Sequence, residues 1–206
     1  MDNISAVIVA NGNFPCHKIP LSIIQNASYI VCCDGAANDF ISRGYVPDAI
    51  VGDCDSISEE NKIRFADILH VISEQDTNDL TKSVKFCVDN KKTDITIVAA
   101  TGKREDHSIG NISLLVDYMD IARVKMITDY GIFTPLNSKT EFQSFQGEKV
   151  SLFCMEQKPV SVSGLEFPID NRILTNWWQG TLNKSLGNSF TIDTEGKTIV
   201  FQVFPQ

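Results

Sequence analysis

The feature that most constrains the fold is an alternation of short apolar runs with amphipathic segments over the first two thirds of the chain. Apolar residues recur at helical spacing from Leu80 to Val88 and again from Ile109 to Met119. The runs that alternate with such segments have the length of strands: AVIVA (6–10), YIVCC (29–33), AIV (49–51), LHVI (69–72) and ITIVAA (95–100). This alternation predicts a three-layer α/β domain, a parallel sheet with helices on both faces.

The pattern changes near residue 123, where helical spacing ends and short alternating runs begin. Examples are KVSLF (149–153), SFTI (189–192) and TIVFQVF (198–204), and Gly, Pro, Asn or Lys residues separate the runs. Such runs predict a smaller antiparallel, all-β domain of the sandwich type. We therefore expect an α/β domain at 1–130 and a β-rich domain at 131–206.

Composition narrows the classes of function. Of the 206 residues, 43% are hydrophobic, and this content argues against disorder. The net charge of −8 argues against nucleic acid as a partner. The first residues have no basic segment typical of a signal peptide, and no run approaches the roughly 20 apolar residues of a membrane span. The six cysteines show no C-x-x-C spacing, which favours free thiols. We expect a cytoplasmic protein that binds no membrane.

Polar residues follow four of the apolar runs. These are Asn11-Gly12, Asp34-Gly35, the segment 52–55 (GDCD) and the segment 101–104 (TGKR). Because parallel strands point the same way, their carboxyl ends meet at one edge of the sheet, where open α/β folds bind ligands. We expect a binding site at this edge.

The carboxylates of Asp53 and Asp55 are the strongest indication of a metal at this edge. In an extended chain, residues two apart project to the same side, so both side chains could converge on a hard cation such as Mg²⁺, with Cys54 pointing away. The alternative is an Asx-type turn that caps the helix starting near Ser58.

Two further segments add charged groups. In EQDTNDLTK (74–82), Asp79 lies near a predicted helix N-terminus, where its negative charge would interact favourably with the helix dipole. Lys82, one turn later, could reach a phosphate. In TGKREDHSIGN (101–111), Arg104 offers a planar fork suited to phosphate oxygens, and Asp106 could cap the following helix.

Taken together, these segments resemble the signature elements of the thiamine pyrophosphokinase family. The matching elements stand in order along the chain: Asn11-Gly12 after a strand, D-G-A-A-N (34–38), G-D-x-D-S-I (52–57), Q-D-x-x-D-x-x-K (75–82) and T-G-x-R-x-D-H (101–107) with Asn111. The β-rich tail fits the family's thiamine-binding domain more loosely.

The resemblance implies transfer of a pyrophosphoryl group from ATP to thiamine, giving thiamine diphosphate and AMP. It also implies roles for individual residues. Asp53, Asp55 and Asp79 would hold Mg²⁺ and, with Arg104, act in catalysis. The groups implied to bind ATP and its phosphates are Asn11, Gly12, Asp34, Gly35, Lys82, Arg104 and His107. Those implied to bind thiamine are Gln75, Asp106, Trp177, Ser185 and Asn188.

The family also implies a homodimer, in which thiamine lies between the sheet domain of one subunit and the β domain of the other. The chain departs from the family pattern at two positions. Lys103 replaces the second glycine of T-G-G-R and either adds a phosphate contact or narrows the loop. Gly187 stands where the tail motif has a serine, which puts the contacts of this stretch with thiamine in question.

Two other functions fit parts of the sequence. A Mg²⁺-dependent phosphohydrolase with an aspartyl nucleophile also places D-x-D after a strand, but it would leave the Arg104 loop and the β tail unexplained. A module that senses nucleotide or thiamine without turnover would bind the same ligands, and an activity assay distinguishes it from an enzyme.

Overall fold

Residues 5–205 are described by the computed structural model, and their contacts divide the chain into two units. The α/β unit comprises the chain up to Leu114 together with Asp120–Asp129. The β unit comprises Leu115–Met119 and the chain from Tyr130 onward.

The sheet of the α/β unit has six strands, and every neighbouring pair is parallel. Their order across the sheet is β6-β5-β1-β2-β3-β4. The strands are β1 (Ser5–Val9), β2 (Ile30–Cys33), β3 (Ala49–Gly52), β4 (Leu69–Val71), β5 (Asp94–Val98) and β6 (Arg123–Ile127). The predicted α/β class is therefore confirmed.

The strand order reverses beside β1. The chain runs outward from β1 through β2 and β3 to β4, then returns to place β5 on the opposite side of β1. The connection after β1 leads to β2 on one side, and the connection after β5 leads to β6 on the other side. Where neighbouring strands have connections in opposite directions, a crevice opens at their carboxyl ends. The loops after β1 and β5 border this crevice.

Five helices connect the strands of the α/β unit: α1 (Lys18–Gln25), α2 (Ala36–Ser42), α3 (Glu59–Arg64), α4 (Asp79–Asp89) and α5 (Glu105–Ser113). A short 3₁₀ turn at Ala66–Ile68 follows α3. The side-chain oxygens of Ser58 and Asn78 accept backbone N–H groups at the starts of α3 and α4, respectively. These caps satisfy donors that the first helical turn leaves free.

The helical spacing from Ile109 to Met119 spans two helices rather than one. Helix α5 ends at Ser113, and a separate turn, α6 (Leu115–Tyr118), belongs to the β unit. The sequence around the break contains Gly110 and Ser113, and the Ser113 hydroxyl donates to the Gly110 carbonyl. Glycine and serine are weaker helix formers than alanine or leucine, which helps the helix to end here.

The central strands are buried on both faces of the sheet, because consecutive residues such as Val7, Ile8 and Val9 are all buried and their side chains alternate between the two faces. Ile8, Ile50, Ile95 and Ile97 are fully buried, so these strands read as continuous apolar runs rather than as alternating ones. This burial explains why short apolar runs were sufficient to predict the strands.

The β unit contains eight strands in two groups. One group runs in the order β12-β9-β14-β7 and the other in the order β11-β10-β13-β8, with antiparallel neighbours in both. The strands are β7 (Gly131–Leu136), β8 (Thr140–Gln143), β9 (Lys149–Cys154), β10 (Pro159–Ser163), β11 (Ile169–Ile173), β12 (Asn183–Lys184), β13 (Ser189–Thr194) and β14 (Thr198–Val203). A 3₁₀ turn, Trp177–Gly180, precedes β12.

One apolar cluster joins the two groups of strands. It includes Leu152 and Val200 from the first group and Phe142, Val162 and Ile192 from the second. The rings of Phe142 and Phe190 stack with centroids 5.2 Å apart. Two groups of antiparallel strands with a shared apolar core form a sandwich, as the sequence predicts.

Within residues 5–205, none of the helices has the length and apolar character needed to cross a lipid bilayer.

Ile97→Ala tests the importance of the central strands. We expect it to lower the free energy of unfolding by about 2–5 kcal/mol, because it leaves a cavity at a fully buried position. The matched control is Ile63→Ala, whose side chain is 79% exposed and which we expect to change stability by less than about 0.5 kcal/mol. Urea unfolding measures both variants, and equal losses would contradict this description of the core.

Candidate functional site

A cleft of about 460 Å³ opens at the carboxyl edge of the sheet in the α/β unit. The loops after β1, β2, β3, β4 and β5 line it, together with the first turns of α4 and α5. The residues predicted for the site that line it are Asn11, Gly12, Asp34, Asp53, Gln75, Asp79, Lys82, Arg104 and His107. These residues come from five separate segments of the sequence.

The ends of β2 and β3 approach each other so closely that side-chain size is restricted. A Cβ atom on Gly52 would lie 2.7 Å from the Cβ of Asp34 and 3.1 Å from a carboxylate oxygen of Asp79. Asp34 itself has a φ of +35°, a conformation that L-residues other than Asn and Asp seldom adopt. Strained backbone of this kind is concentrated at functional sites.

Three carboxylates converge at this edge. Asp34, Asp53 and Asp55 each present an oxygen within 4.8 Å of those of the other two. One oxygen of Asp34 accepts the backbone N–H of Ser56 at 3.1 Å, but the other is buried and has no hydrogen-bond partner among the described residues. A buried, unpartnered carboxylate oxygen beside two further carboxylates fits a hard divalent cation.

Burial raises the pKa of the Asp34 carboxyl, and the nearby charge of Asp79 raises it further. Both effects disfavour the ionised form when nothing cationic is bound. The Gln75 side-chain amide, by contrast, donates to Asp53 at 3.2 Å and is the main cause that lowers the pKa of that carboxyl.

The segment that carries Asp53 and Asp55 is not extended, so the reason that we gave for their convergence was wrong. Cys54 between them has a φ of +63°, which folds the chain into a turn. The two carboxylates still converge, and Cys54 between them is buried. The backbone N–H of Asp55 points to a carboxylate oxygen of Asp53 at 3.4 Å. Neither Asp caps α3, because Ser58 does so.

Asn38 on α2 stabilises this turn through side-chain hydrogen bonds, a role that the sequence analysis did not assign. Its amide nitrogen donates to the Ser56 carbonyl at 2.9 Å. Its oxygen accepts the backbone N–H of Ser58 and the side-chain amide of Asn61, both at 3.0 Å. Asn38 therefore positions the carboxylate turn without lining the cleft.

The start of α4 supplies a buried cation. The Lys82 ammonium lies 3.3 Å from a carboxylate oxygen of Asp79, and the Lys82 side chain is only 3% exposed. Asn78 caps the helix, and its amide also donates to the side-chain oxygen of Asn111 at 3.3 Å. The helix start is thereby tied to α5 across the cleft.

Arg104 and Asp106 form an exposed, bidentate ion pair in the loop after β5. The Arg104 Nε donates to one oxygen of Asp106 at 3.0 Å, and a terminal nitrogen donates to the other at 2.5 Å. This bonding lowers the pKa of the Asp106 carboxyl to about 2. We expected Asp106 to cap α5, and this expectation was wrong. Asp106 lies within the first turn of the helix, and Arg104 occupies the cap position.

The loops after β1 and β5 touch directly. The backbone N–H of Gly12 donates to the Ala99 carbonyl at 2.6 Å, and a Cβ on Gly12 would lie 2.4 Å from the Thr101 carbonyl oxygen. Only glycine allows this approach. The Lys103 ammonium donates to the side-chain oxygen of Asn11 at 2.9 Å and joins the loops a second time.

The other predicted site residues lie outside the cleft lining. Gly35 precedes α2, Asp55 is an exposed member of the carboxylate cluster, and Asp106 reaches the cleft only through Arg104. In the β unit, the predicted residues have three different environments. Trp177 is 47% exposed and packs edge-on against Phe153, Ser185 is buried with its hydroxyl donating to the Gly187 carbonyl, and Asn188 is exposed.

Several cleft residues were assigned no binding or catalytic role from the sequence. They are Cys33, Ser56, Thr77, Asn78 and Ser108. Each is adjacent to or inside a motif that had been recognised, so proximity in the sequence was the signal that could have found them. Burial raises the pKa of Cys33 to about 12, so that its thiol stays neutral beside the carboxylates.

Two family models match the chain and together cover most of it. "Thiamin pyrophosphokinase, catalytic domain" matches residues 21–127, and "Thiamin pyrophosphokinase, substrate-binding domain" matches residues 131–201. The chain is 32% identical to thiamine pyrophosphokinase 1 of Oryza sativa subsp. japonica over 197 residues, which cover 81% of this chain and 74% of that protein. A shorter match, 37% identical over 79 residues, is to thiamine pyrophosphokinase of Bacillus subtilis (strain 168) and covers 36% and 37% of the two chains.

Solved structures show the same fold. The crystal structure of thiamine pyrophosphokinase from Bacillus subtilis superposes with a TM-score of 0.81 at 20% identity and covers 98% of this chain and all of that one (100%). The enzyme from Candida albicans gives a TM-score of 0.76 at 19% identity, covering 98% and 90%.

Arg104→Gln should release the Asp106 carboxyl from its ion pair. We expect the pKa of Asp106 to return from about 2 toward its ordinary value of 3.8. At pH near 3.8, the carboxyl should be mostly ionised in the parent and about half protonated in the variant. The stabilisation from this pair is present above pH 3.8 and is lost as the pH falls through about 2, because the folded-state pKa is the lower one.

Carbon-13 NMR of the Asp106 carboxyl, assigned with Asp106→Asn, measures this change. Arg43→Gln is the matched control, because Arg43 pairs with Asp39 and not with Asp106. An Asp106 titration that is the same in the parent and in Arg104→Gln would show that the pair does not form in solution.

Proposed function

Because the chain belongs to the thiamine pyrophosphokinase family, we propose that it transfers the pyrophosphoryl group of ATP to the hydroxyl of thiamine, which yields thiamine diphosphate and AMP. The observation that carries this proposal is the cleft in which clustered carboxylates face Lys82 and Arg104. Pyrophosphoryl transfer mainly requires in-line positioning and neutralisation of phosphate charge, and such a cleft can supply both.

We propose that Mg²⁺ is the cofactor, with Asp53, Asp55 and Asp79 as its ligands and Asp34 as a further one. Asp34 is added because its buried second oxygen has no partner among the described residues. When bound, Mg²⁺ neutralises phosphate oxygens and polarises the phosphorus that is attacked. Gln75 and the Ser56 N–H hold Asp53 and Asp34 in place, so the carboxylates are positioned before any ligand arrives.

Lys82 and Arg104 provide the positive charge for the phosphates in this proposal. Lys82 is buried beside Asp79, and its position is therefore fixed by packing. Arg104 is exposed and forms a bidentate pair with the carboxylate of Asp106. A phosphate can accept the same two hydrogen bonds, so the guanidinium can exchange the carboxylate for a phosphate. Asn11, Gly12, Asp34, Gly35 and His107 are proposed to form the rest of the ATP site.

Thiamine binding is assigned in this proposal to Gln75 and Asp106 in the α/β unit and to Trp177, Ser185 and Asn188 in the β unit. A half-exposed indole such as that of Trp177 can receive a cationic thiazolium over its face. We propose a homodimer whose active sites use residues of both subunits. We also propose that the reaction takes place in the cytoplasm, because thiols such as the six free cysteines stay reduced there.

The phosphohydrolase alternative is not favoured, because the family models match both parts of the chain, including the β-rich tail that a phosphohydrolase would leave unexplained. The products of an assay test the remaining choice. Protein mixed with Mg²⁺, ATP and thiamine should form AMP and thiamine diphosphate in equal amounts. A protein that only senses its ligands would form neither, and a hydrolase would release phosphate without thiamine.

Asp55→Asn should reduce this activity by orders of magnitude, because it removes one charge from the proposed cation site with little change in shape. Without Mg²⁺, we expect the variant to be as stable as the parent or slightly more stable, because a like-charge contact is relieved. With Mg²⁺ and ATP, the parent should gain thermal stability through ligand binding, and the variant should gain far less.

Asp67→Asn is the matched control, since Asp67 is an exposed acid in the 3₁₀ turn and outside the cleft. It should melt and turn over like the parent under all conditions. A variant at Asp55 that is less stable without ligand yet normally active would assign Asp55 to the turn alone.

Mixing two inactivated variants tests whether the active sites are shared. One is Asp53→Asn, and the other is the double variant Trp177→Ala/Asn188→Ala. If each site takes residues from both subunits, a mixed dimer has one site free of both changes, and activity should exceed the sum of the separate variants. Light scattering should give twice the mass of one chain. Activity equal to that sum, or a fully active monomer, would refute the shared site.

A further inference from the structure

Lys103 lies where the strand order reverses. It follows β5 and donates across the crevice to Asn11, which follows β1, with 2.9 Å between Nζ and Oδ1. Both side chains line the cleft. This crevice is the position at which open parallel sheets bind their ligands.

The backbone that carries Lys103 is held in place. Gly102 has a φ of +108°, and a Cβ there would lie 2.5 Å from the side-chain nitrogen of Asn13. The backbone N–H of Asn13 donates to the Thr101 carbonyl at 2.8 Å. The loop therefore presents Lys103 from a fixed point, while the flexible side chain remains exposed.

The bonding of Lys103 differs from that of the other two long cationic side chains in the cleft. Lys82 is paired with the carboxylate of Asp79, and Arg104 is paired with that of Asp106. The partner of Lys103 is the neutral amide oxygen of Asn11. Among residues 5–205, no carboxylate forms an ion pair with it. Within the described residues, its positive charge is therefore not paired directly with a carboxylate.

A phosphate oxygen is a better acceptor for this ammonium than an amide oxygen, because its negative charge adds a Coulomb attraction that the neutral amide of Asn11 does not provide. We infer that Lys103 is a further phosphate-binding residue. Its ammonium exchanges its hydrogen bond with Asn11 for one with the polyphosphate chain of the nucleotide, and this new bond contributes to the affinity for the nucleotide. This inference rests on the proposed function in naming a nucleoside triphosphate as the ligand.

The test is Lys103→Met, which removes the charge and keeps most of the length of the side chain. Isothermal titration should give about tenfold weaker binding of Mg²⁺-ATP and of inorganic tripolyphosphate, the loss of one hydrogen bond to a charged group. Adenosine, which has no phosphate, should bind equally well to variant and parent. In steady state, KM for ATP should rise more than kcat falls.

Two further variants sharpen the result. Lys103→Arg keeps the charge and should keep most of the affinity. Lys85→Met removes a charge from an exposed position of α4 outside the cleft lining and should bind like the parent. Thermal melts verify that each variant is folded, which we expect because Lys103 is exposed.

The outcomes separate this inference from the proposed function. If the parent forms thiamine diphosphate but Lys103→Met binds ATP and tripolyphosphate as tightly as the parent, the inference alone is wrong. If the parent binds tripolyphosphate more tightly than Lys103→Met does yet forms no thiamine diphosphate, the inference holds and the proposed function is wrong. Equal loss of adenosine binding would show a structural role and overturn the inference, and a parent that binds no phosphate compound would overturn both.

Discussion

Parallel pairing of β1 with β2 on one side and β5 on the other is the constraint on which the rest of the α/β unit depends. It directs the carboxyl ends of these strands to the same edge and brings residues about ninety positions apart in sequence into direct contact, as Asn11 and Lys103 are. The burial of Ile8 and Ile97 within the sheet stabilises this pairing. The cleft is therefore a consequence of strand order.

The same constraint forces like charges together. Three carboxylates lie within 4.8 Å of one another, and Asp34 is buried among them with one oxygen unpartnered in the described chain. The surrounding structure compensates with donors: Gln75 for Asp53, the Ser56 N–H for Asp34, and Asn38 for the turn between them. Carboxylates that lie this close repel one another, and titratable groups with perturbed pKa values are typical of functional sites.

Much of this organisation could be predicted from particular residues. The apolar runs predicted β1, β2, β3 and β5 because strands buried on both faces need no polar positions. The polar residues after each run predicted the edge at which the cleft lies. Errors arose where local rules competed: Asp106 has the chemistry of a helix cap, but the guanidinium of Arg104 two residues earlier is a stronger partner for it. Similarly, spacing alone could not show that α5 ends at Ser113.

The sequence by itself determined the alternation of strands and helices, the change to antiparallel strands and the chemical types at the cleft, because hydrophobic periodicity and turn chemistry are local properties. Only the tertiary structure decided which side chains face one another. It placed Asp34 among the carboxylates, gave Asn38 its role in stabilising the turn, and left Lys103 bonded to a neutral group while Lys82 has a carboxylate partner. These contacts join distant segments, and their geometry depends on how the strands are ordered in space, which local patterns do not encode.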